Sequence, residues 1–221
     1  LFPSGGIGYA FQGGYEPTGP TGIVTRVAFD PTGETGVITK SSGRCILEID
    51  GKPAAEVYNR WIGGHLTDRL DVQGSILADT TMTPLAIDAG SADGVKHYLL
   101  IHPDGIVQNR GLSTFASIDE GMLVHSMRGD RQLLVERAGR VARSAAARLD
   151  MDGRVLAGGL IVYCGGCRLA VGDRIVDVPK EIAKRFAGQP FIGCFTFGEQ
   201  GRMLEKNVHG NLMISAIAFG Q

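Results

Sequence analysis

From Arg131 to Leu149 the chain repeats its apolar residues with the period of a helix, over a longer span than any other periodic stretch. Leu134, Ala138, Val141, Ala142, Ala145 and Leu149 share one face. Arg137, Arg140 and Arg148 are read as lying near the other, a solvated basic face. Around this helix the apolar residues come in short runs broken by turn residues. Glycine supplies 33 of 221 positions, about twice the average frequency of roughly 7%. With no low-complexity repeat to account for it, that glycine content implies tight turns between strands and close backbone approaches.

Read from the start, Leu1 to Pro20 is a Gly-rich strand remnant and loop. Ile23 to Phe29, Gly36 to Lys40 and Cys45 to Ile49 read as strands, with turns at Asp30 to Gly33, at Ser42-Gly43 and at Asp50-Gly51. Pro53 suits the first turn of a helix over Ala54 to Ile62, whose face of Ala54, Val57, Tyr58, Trp61 and Ile62 makes Trp61 a core anchor. A short strand is expected at Leu85 to Ile87. Tyr98 to His102 and Gly105 to Asn109 read as a hairpin turning at Pro103-Asp104. Ser113 to Ile118 and Met122 to Met127 follow as strands across Asp119-Glu120-Gly121. After the long helix come a strand over Val155 to Cys164 and a helix over Asp177 to Ala187, entered through Pro179. This order predicts an α+β fold: a mixed, largely antiparallel sheet covered by helices.

A formal net charge of -1 offers no electrostatic case for nucleic acid or an acidic membrane surface. No stretch has the 18 or so apolar residues that membrane insertion requires, and the expected compartment is the cytoplasm. The fragment Gly6 to Phe11 lacks the third glycine of a dinucleotide fingerprint, and no Gly-Lys-[Ser/Thr] closes a phosphate loop.

Two apolar runs near the end, Phe191 to Phe197 and Leu212 to Phe219, flank a compact polar loop. Paired as a hairpin, they would bring Glu199, Arg202, Asn207 and His209 to one end of a sheet, at the rim of an apolar core. The same residues carry a resemblance. Gly193-Cys-Phe-Thr-Phe-Gly-Glu199, then Asn207-Val-His-Gly210 leading into a final apolar strand, resembles the end of the C-terminal FIST domain. Upstream, Gly14 to Pro20, Thr25-Arg-Val27 and Ile46 to Tyr58 resemble the junction between the N- and C-terminal FIST domains. FIST domains are sensory modules of bacterial signalling proteins and of some eukaryotic F-box proteins.

The resemblance implies a division into residues 1–52, the tail of an N-terminal FIST domain, and 53–221, the C-terminal domain. It also implies a sizeable domain ahead of Leu1, small-ligand binding with amino acids among the ligands, and a signalling partner such as a histidine kinase. In the family a strand ending in Ser/Tyr-Cys precedes small residues and an Arg, which would place Cys164 and Arg168 in the same pocket. The expected ligand-binding set is Cys164, Arg168, Cys194, Thr196, Gly198, Glu199, Asn207 and His209, with no catalytic residue and no metal ligand.

Two alternatives stand beside it. Some family members are haem-based nitric oxide sensors, and five histidines are available as axial ligands, with His102 and His209 best placed. Covalent haem attachment is excluded because Arg168 and not His follows Cys167. The second alternative is a thiol-based redox sensor at Cys164-Gly-Gly-Cys167. Zinc lacks a second cysteine pair, since Cys45 and Cys194 are isolated. Arg168 to Gly172 shows no clear helix start of the kind that activates a thioredoxin-type pair. An enzyme using Glu199 with His209, and Thr196 or Cys194 as nucleophile, lacks any nucleophile elbow or zinc-protease motif.

Overall fold

In the computed structural model the described residues are 7–13, 17–18, 23–24, 29–92, 95–151, 153–198, 200–203 and 206–220. In chain order the elements begin with β1 (Ile7–Gly13), the short pair β2 (Pro17–Thr18) and β3 (Ile23–Val24), β4 (Phe29–Ser42), β5 (Cys45–Ile49) and β6 (Lys52–Pro53). They continue through α1 (Ala54–Trp61), β7 (Gly74–Ser75), α2 (Leu77–Thr80), β8 (Leu85–Ala92), β9 (Val95–Ile101), β10 (Pro103–Val107), β11 (Gly111–Thr114) and β12 (Leu123–Gly129). The last part holds α3 (Arg131–Met151), β13 (Leu156–Cys164), α4 (Gly165–Val171), α5 (Val178–Arg185), β14 (Phe191–Thr196), β15 (Gln200–Met203), β16 (Lys206–His209) and β17 (Met213–Gly220). The α+β class is as expected: mixed sheets, largely antiparallel, with helices against them.

Two sheets carry the fold. The larger has nine strands in the order β7-β10-β11-β5-β4-β12-β8-β9, with β6 added on β5. Its terminal strand β9 and its penultimate strand β10 are joined by His102 alone, so the sheet must curl until its two ends nearly meet. Inside the curl, Ile38, Ile46, Ile49, Leu85, Ile106 and Leu112 close around Val57, Tyr58 and Trp61 of α1. Trp61 is thus a core residue, as its helical spacing indicated.

The smaller sheet has the order β1-β17-β13-β14. All its pairings are antiparallel except β13 with β14. α3 lies between the two sheets: its Leu134, Ala138, Val141 and Ala142 share one core with Phe29, Met127 and Leu100 of the large sheet and Ile161, Ile214 and Ala216 of the small one. Its opposite flank meets α5 so closely that a Cβ on Gly139 would stand 2.8 Å from the carbonyl oxygen of Glu181.

Several expectations are corrected here. The turn expected at Asp30 to Gly33 is a bulge inside one 14-residue strand. Between the pairs His125–Thr35 and Met127–Pro31 a step of two residues along β12 matches a step of four along β4, and Gly33 takes φ +97°. Tyr98 to His102 and Gly105 to Asn109 do not form a hairpin. β9 pairs with β8 and β10 with β11; His102 alone separates β9 from β10, fewer than the two residues a tight hairpin loop needs.

The two closing runs do not pair with each other either. β13 separates β14 from β17, and the intervening loop forms its own hairpin of β15 and β16. A helix, α4, begins directly after Cys164, where no helix start was read.

The arginine face of α3 is not solvated: Arg137 is 1% exposed and Arg140 9%, while the side chain of Arg148 lies outside those described. Arg137 stands three residues after Leu134 and four before Val141, which puts it on the apolar stripe itself.

Candidate ligand-binding site

The parallel pair β13–β14 organises the candidate site. Its register sets Ile161 opposite Gly193, Tyr163 opposite Phe195 and Cys164 opposite Thr196. Carboxyl ends of parallel strands are where open α/β sheets commonly gather ligands. At that end Cys164 leads into α4, and Thr196 leads into the bend at Phe197-Gly198. Arg168, on the exposed side of α4, lays its guanidinium 5.9 Å from the centre of the Phe195 ring. Gly198 takes φ +74° and its missing Cβ would lie 3.3 Å from His209 Nε2. A side chain there would meet both backbone strain and the imidazole.

Of the expected set, Cys164, Arg168, Thr196, Gly198 and His209 gather around this end. Cys194 lies exposed on the edge strand, one residue from Phe195. Asn207 is placed by its backbone opposite Arg202 in the β15–β16 hairpin. Glu199 lies outside the described residues. His209 Nε2 is buried with no hydrogen-bond partner.

Below the strand ends a cavity of about 190 Å³ opens between the sheet and the helices. Ile161, Tyr163, Gly193, the expected Cys194 and Phe195 are among the residues that line it from β13 and β14, and Ile175, Val178 and Ile182 among those of the opposite wall. The absent side chain of Gly193 contributes to that space. A Cβ there would touch only Ile161, at 3.4 Å and beyond, which is ordinary contact. Tyr163 Oη is buried with no partner. Burial, with Cys167 next, holds the Tyr163 hydroxyl in its neutral form far above the usual phenol range. The tyrosine ring meets Phe195 edge-on, with ring centres 5.9 Å apart. Apart from Gly193 and its neighbours, these lining residues were not singled out from sequence. The alternation of Ile161 and Tyr163 and the stripe of Val178 and Ile182 were the signals available.

A second, more polar cavity of about 280 Å³ lies at the β10–β11 turn, lined by Asp71, Gln73, Gln108, Asn109 and Arg110 among others. There Arg110 is paired with Glu56 and Asp71, and both Asn109 and Arg110 take positive φ.

Neither of these two cavities is lined by a histidine. His102 is enclosed. Its Nε2 meets Thr80 Oγ1 at 2.9 Å, and its Nδ1 faces Gly166. Thr80 Oγ1 also lies 2.8 Å from Pro103 O, so a ring protonated at Nε2 lets the hydroxyl serve both contacts at once. Desolvation lowers the His102 pKa to about 4 and keeps the ring neutral. Among the described residues, then, neither cavity offers haem an axial histidine, and His102 is not open to one. No group of three or more His, Cys, Asp or Glu converges as a metal site among them. No described helix is long and apolar enough to cross a membrane.

A family model described as the FIST C domain matches residues 54–202, about two thirds of the 221-residue chain. No curated protein and no solved structure matches the chain. The matched stretch runs from the first residue of α1 to β15. It contains β13, α4, α5 and β14, the elements that build the cavity and the strand ends above it. The chain therefore belongs to the FIST C domain family, a family of sensory domains in signal transduction proteins.

Proposed function

We propose that this chain senses a small molecule of amino-acid size, held between β13–β14 and α5. The apolar part of the ligand would occupy the cavity beside Gly193. Its polar head group would lie at the strand ends, within reach of Arg168, Thr196 and His209. The observation that carries this reading is the cavity of about 190 Å³ that Gly193 helps leave open against an otherwise packed core. Sites for drug-sized ligands run to roughly 300–1,000 Å³, so this one suits a smaller molecule. Among the described residues Arg168 has no carboxylate partner, only the Phe195 ring, which leaves its charge available to an acidic head group. Occupation would bias the placement of α5 against the sheet, and a signalling partner such as a histidine kinase would read that shift.

The test is a thermal-shift and calorimetric survey of the apolar L-amino acids, on the unsubstituted protein and on Gly193→Leu. The leucine fills the cavity without striking backbone. Saturable binding lost in Gly193→Leu, with the unliganded melting temperature held, is the expected result. Binding of equal strength in both proteins would place the ligand elsewhere, and no binding by any of them would remove the amino-acid reading.

A further inference from the structure

The buried arginine of α3 has an electrostatic problem that its described neighbours do not solve. Arg137 Nη2 donates to Leu212 O at 2.7 Å and to Cys167 Sγ at 3.0 Å. Its Nε and Nη1 are buried without a hydrogen-bond partner. The guanidinium sits 5.8 Å from the centre of the Phe29 ring. Among the described residues no carboxylate is paired with it. A guanidinium is always protonated in proteins, and a buried charge left unpaired is strongly destabilising. The sulfur of Cys167 is the group in contact that can become an anion, and a cation beside it favours the thiolate. Three residues earlier stands Cys164, buried in the same core as Cys167; it caps the N-terminus of α4 while Cys167 lies in the first turn, the Cys-x-x-Cys arrangement of redox-active pairs.

We propose that Cys164 and Cys167 form a peroxide-responsive thiol–disulfide pair in which Arg137 holds Cys167 as the thiolate. Cys167 Sγ attacks the distal oxygen of a hydroperoxide. The O–O bond breaks, and the leaving alkoxide or hydroxide takes a proton from water, with Cys167 left as a sulfenic acid. Cys164 Sγ then attacks Cys167 Sγ, so that the S–O bond breaks and the disulfide forms. Water leaves, carrying the Cys164 proton. The two thiols are together oxidised by two electrons and the peroxide is reduced by two.

The reaction has a structural consequence. The disulfide is neutral, so Arg137 loses its counter-ion while still bound to Leu212, the residue that enters β17. A disulfide closing so short a loop offers little entropic stabilisation in return. Oxidation therefore loosens the junction of α3, α4 and β17. This site is separate from the ligand cavity in chemistry, and its test does not depend on any ligand.

The experiment is a stepwise titration of the reduced protein with hydrogen peroxide, followed by alkylation and peptide mass analysis. It is paired with the ultraviolet thiolate absorbance of the native protein against Cys167→Ser. Expected are a loss of two hydrogens in a crosslinked Cys164–Cys167 peptide before Cys45 or Cys194 reacts, and a sulfenic acid trapped on Cys167 in Cys164→Ser. The Cys167-dependent absorbance should persist about two pH units below the ordinary thiol value of roughly 8.5. Arg137→Lys should retain much of that ionisation, whereas Arg137→Met should move it upward and slow oxidation at least tenfold. Oxidation confined to Cys45 and Cys194, or a Cys167 that ionises no earlier than a free thiol, would overturn the proposal. The second reading comes from the natural arginine, so it stands even where Arg137→Met does not fold.

Discussion

Asn211 and His102, 109 residues apart, are joined by a hydrogen bond that ties the two sheets together: Asn211 Oδ1 accepts the backbone N–H of His102 at 2.9 Å. The backbone N–H of Asn211 also donates, to Leu100 O at 3.2 Å. Asn211 precedes β17 of the small sheet, and Leu100 and His102 belong to the corner where β9 hands over to β10. Both Asn211 and His102 are buried, so water cannot replace what either loses.

Truncating Asn211 to alanine should therefore cost about 1–3 kcal/mol, the usual penalty of an orphaned buried donor. Urea denaturation of Asn211→Ala against the parent protein measures it. A change within a few tenths of a kcal/mol would mean that the two sheets are held by apolar contact alone.

Acid should destabilise the fold through His102. Its folded value of about 4 lies below the ordinary imidazole value of 6.5, so between those values the unfolded chain takes up a proton that the folded chain does not. Stability then falls as pH drops through that window, by up to about 3 kcal/mol, and flattens below it with respect to this group. His97 and His125 are shifted downward by burial as well and act in the same direction. Denaturant midpoints between pH 7 and pH 4 should fall less steeply in His102→Gln.

The unpartnered hydroxyl of Tyr163 makes an opposite prediction. Removing a buried polar group that has no partner relieves its desolvation cost, so Tyr163→Phe should leave stability unchanged or raise it by about 1 kcal/mol. If the hydroxyl serves the ligand, the same variant binds more weakly. Thermal melts with and without ligand separate the two effects.

Gly139 marks where α3 and α5 touch. A methyl group there would stand 2.8 Å from the Glu181 carbonyl oxygen, and backbone cannot step aside as a side chain can. Gly139→Ala should cost about 1–3 kcal/mol despite the better helix propensity of alanine. An unchanged or higher melting temperature would show that α5 shifts freely along α3.

Much of the secondary structure could be read directly from residue pattern. The helix after Pro53, the strand Cys45–Ile49, the Asp50-Gly51 turn and the long helix from Arg131 all stand where periodicity and turn chemistry put them. Local backbone preference suffices for such elements, because each is settled by residues within a few positions of one another. The family was legible too, since its motifs are contiguous stretches that need no fold to be recognised. Residue types singled out Gly193 to His209 as a group, and the structure places Thr196, Gly198 and His209 from it near one end of the small sheet, beside Cys164 and Arg168. The cavity wall from Ile175 to Ile182 was not, because its residues look like any apolar stripe.

What the tertiary structure alone decided is who neighbours whom. Alternation says which face of a strand is buried but not which strand lies beside it, and backbone hydrogen bonds are alike for every candidate partner. So β14 joins β13 in parallel and not β17 as a hairpin, and β1 crosses the whole chain to pair with β17. Arg137 shows the same limit for burial. Its charge argues for water, its position on the helix argues for the core, and the core wins because α3 is enclosed by two sheets and a helix, with Cys167 and Leu212 waiting to receive it.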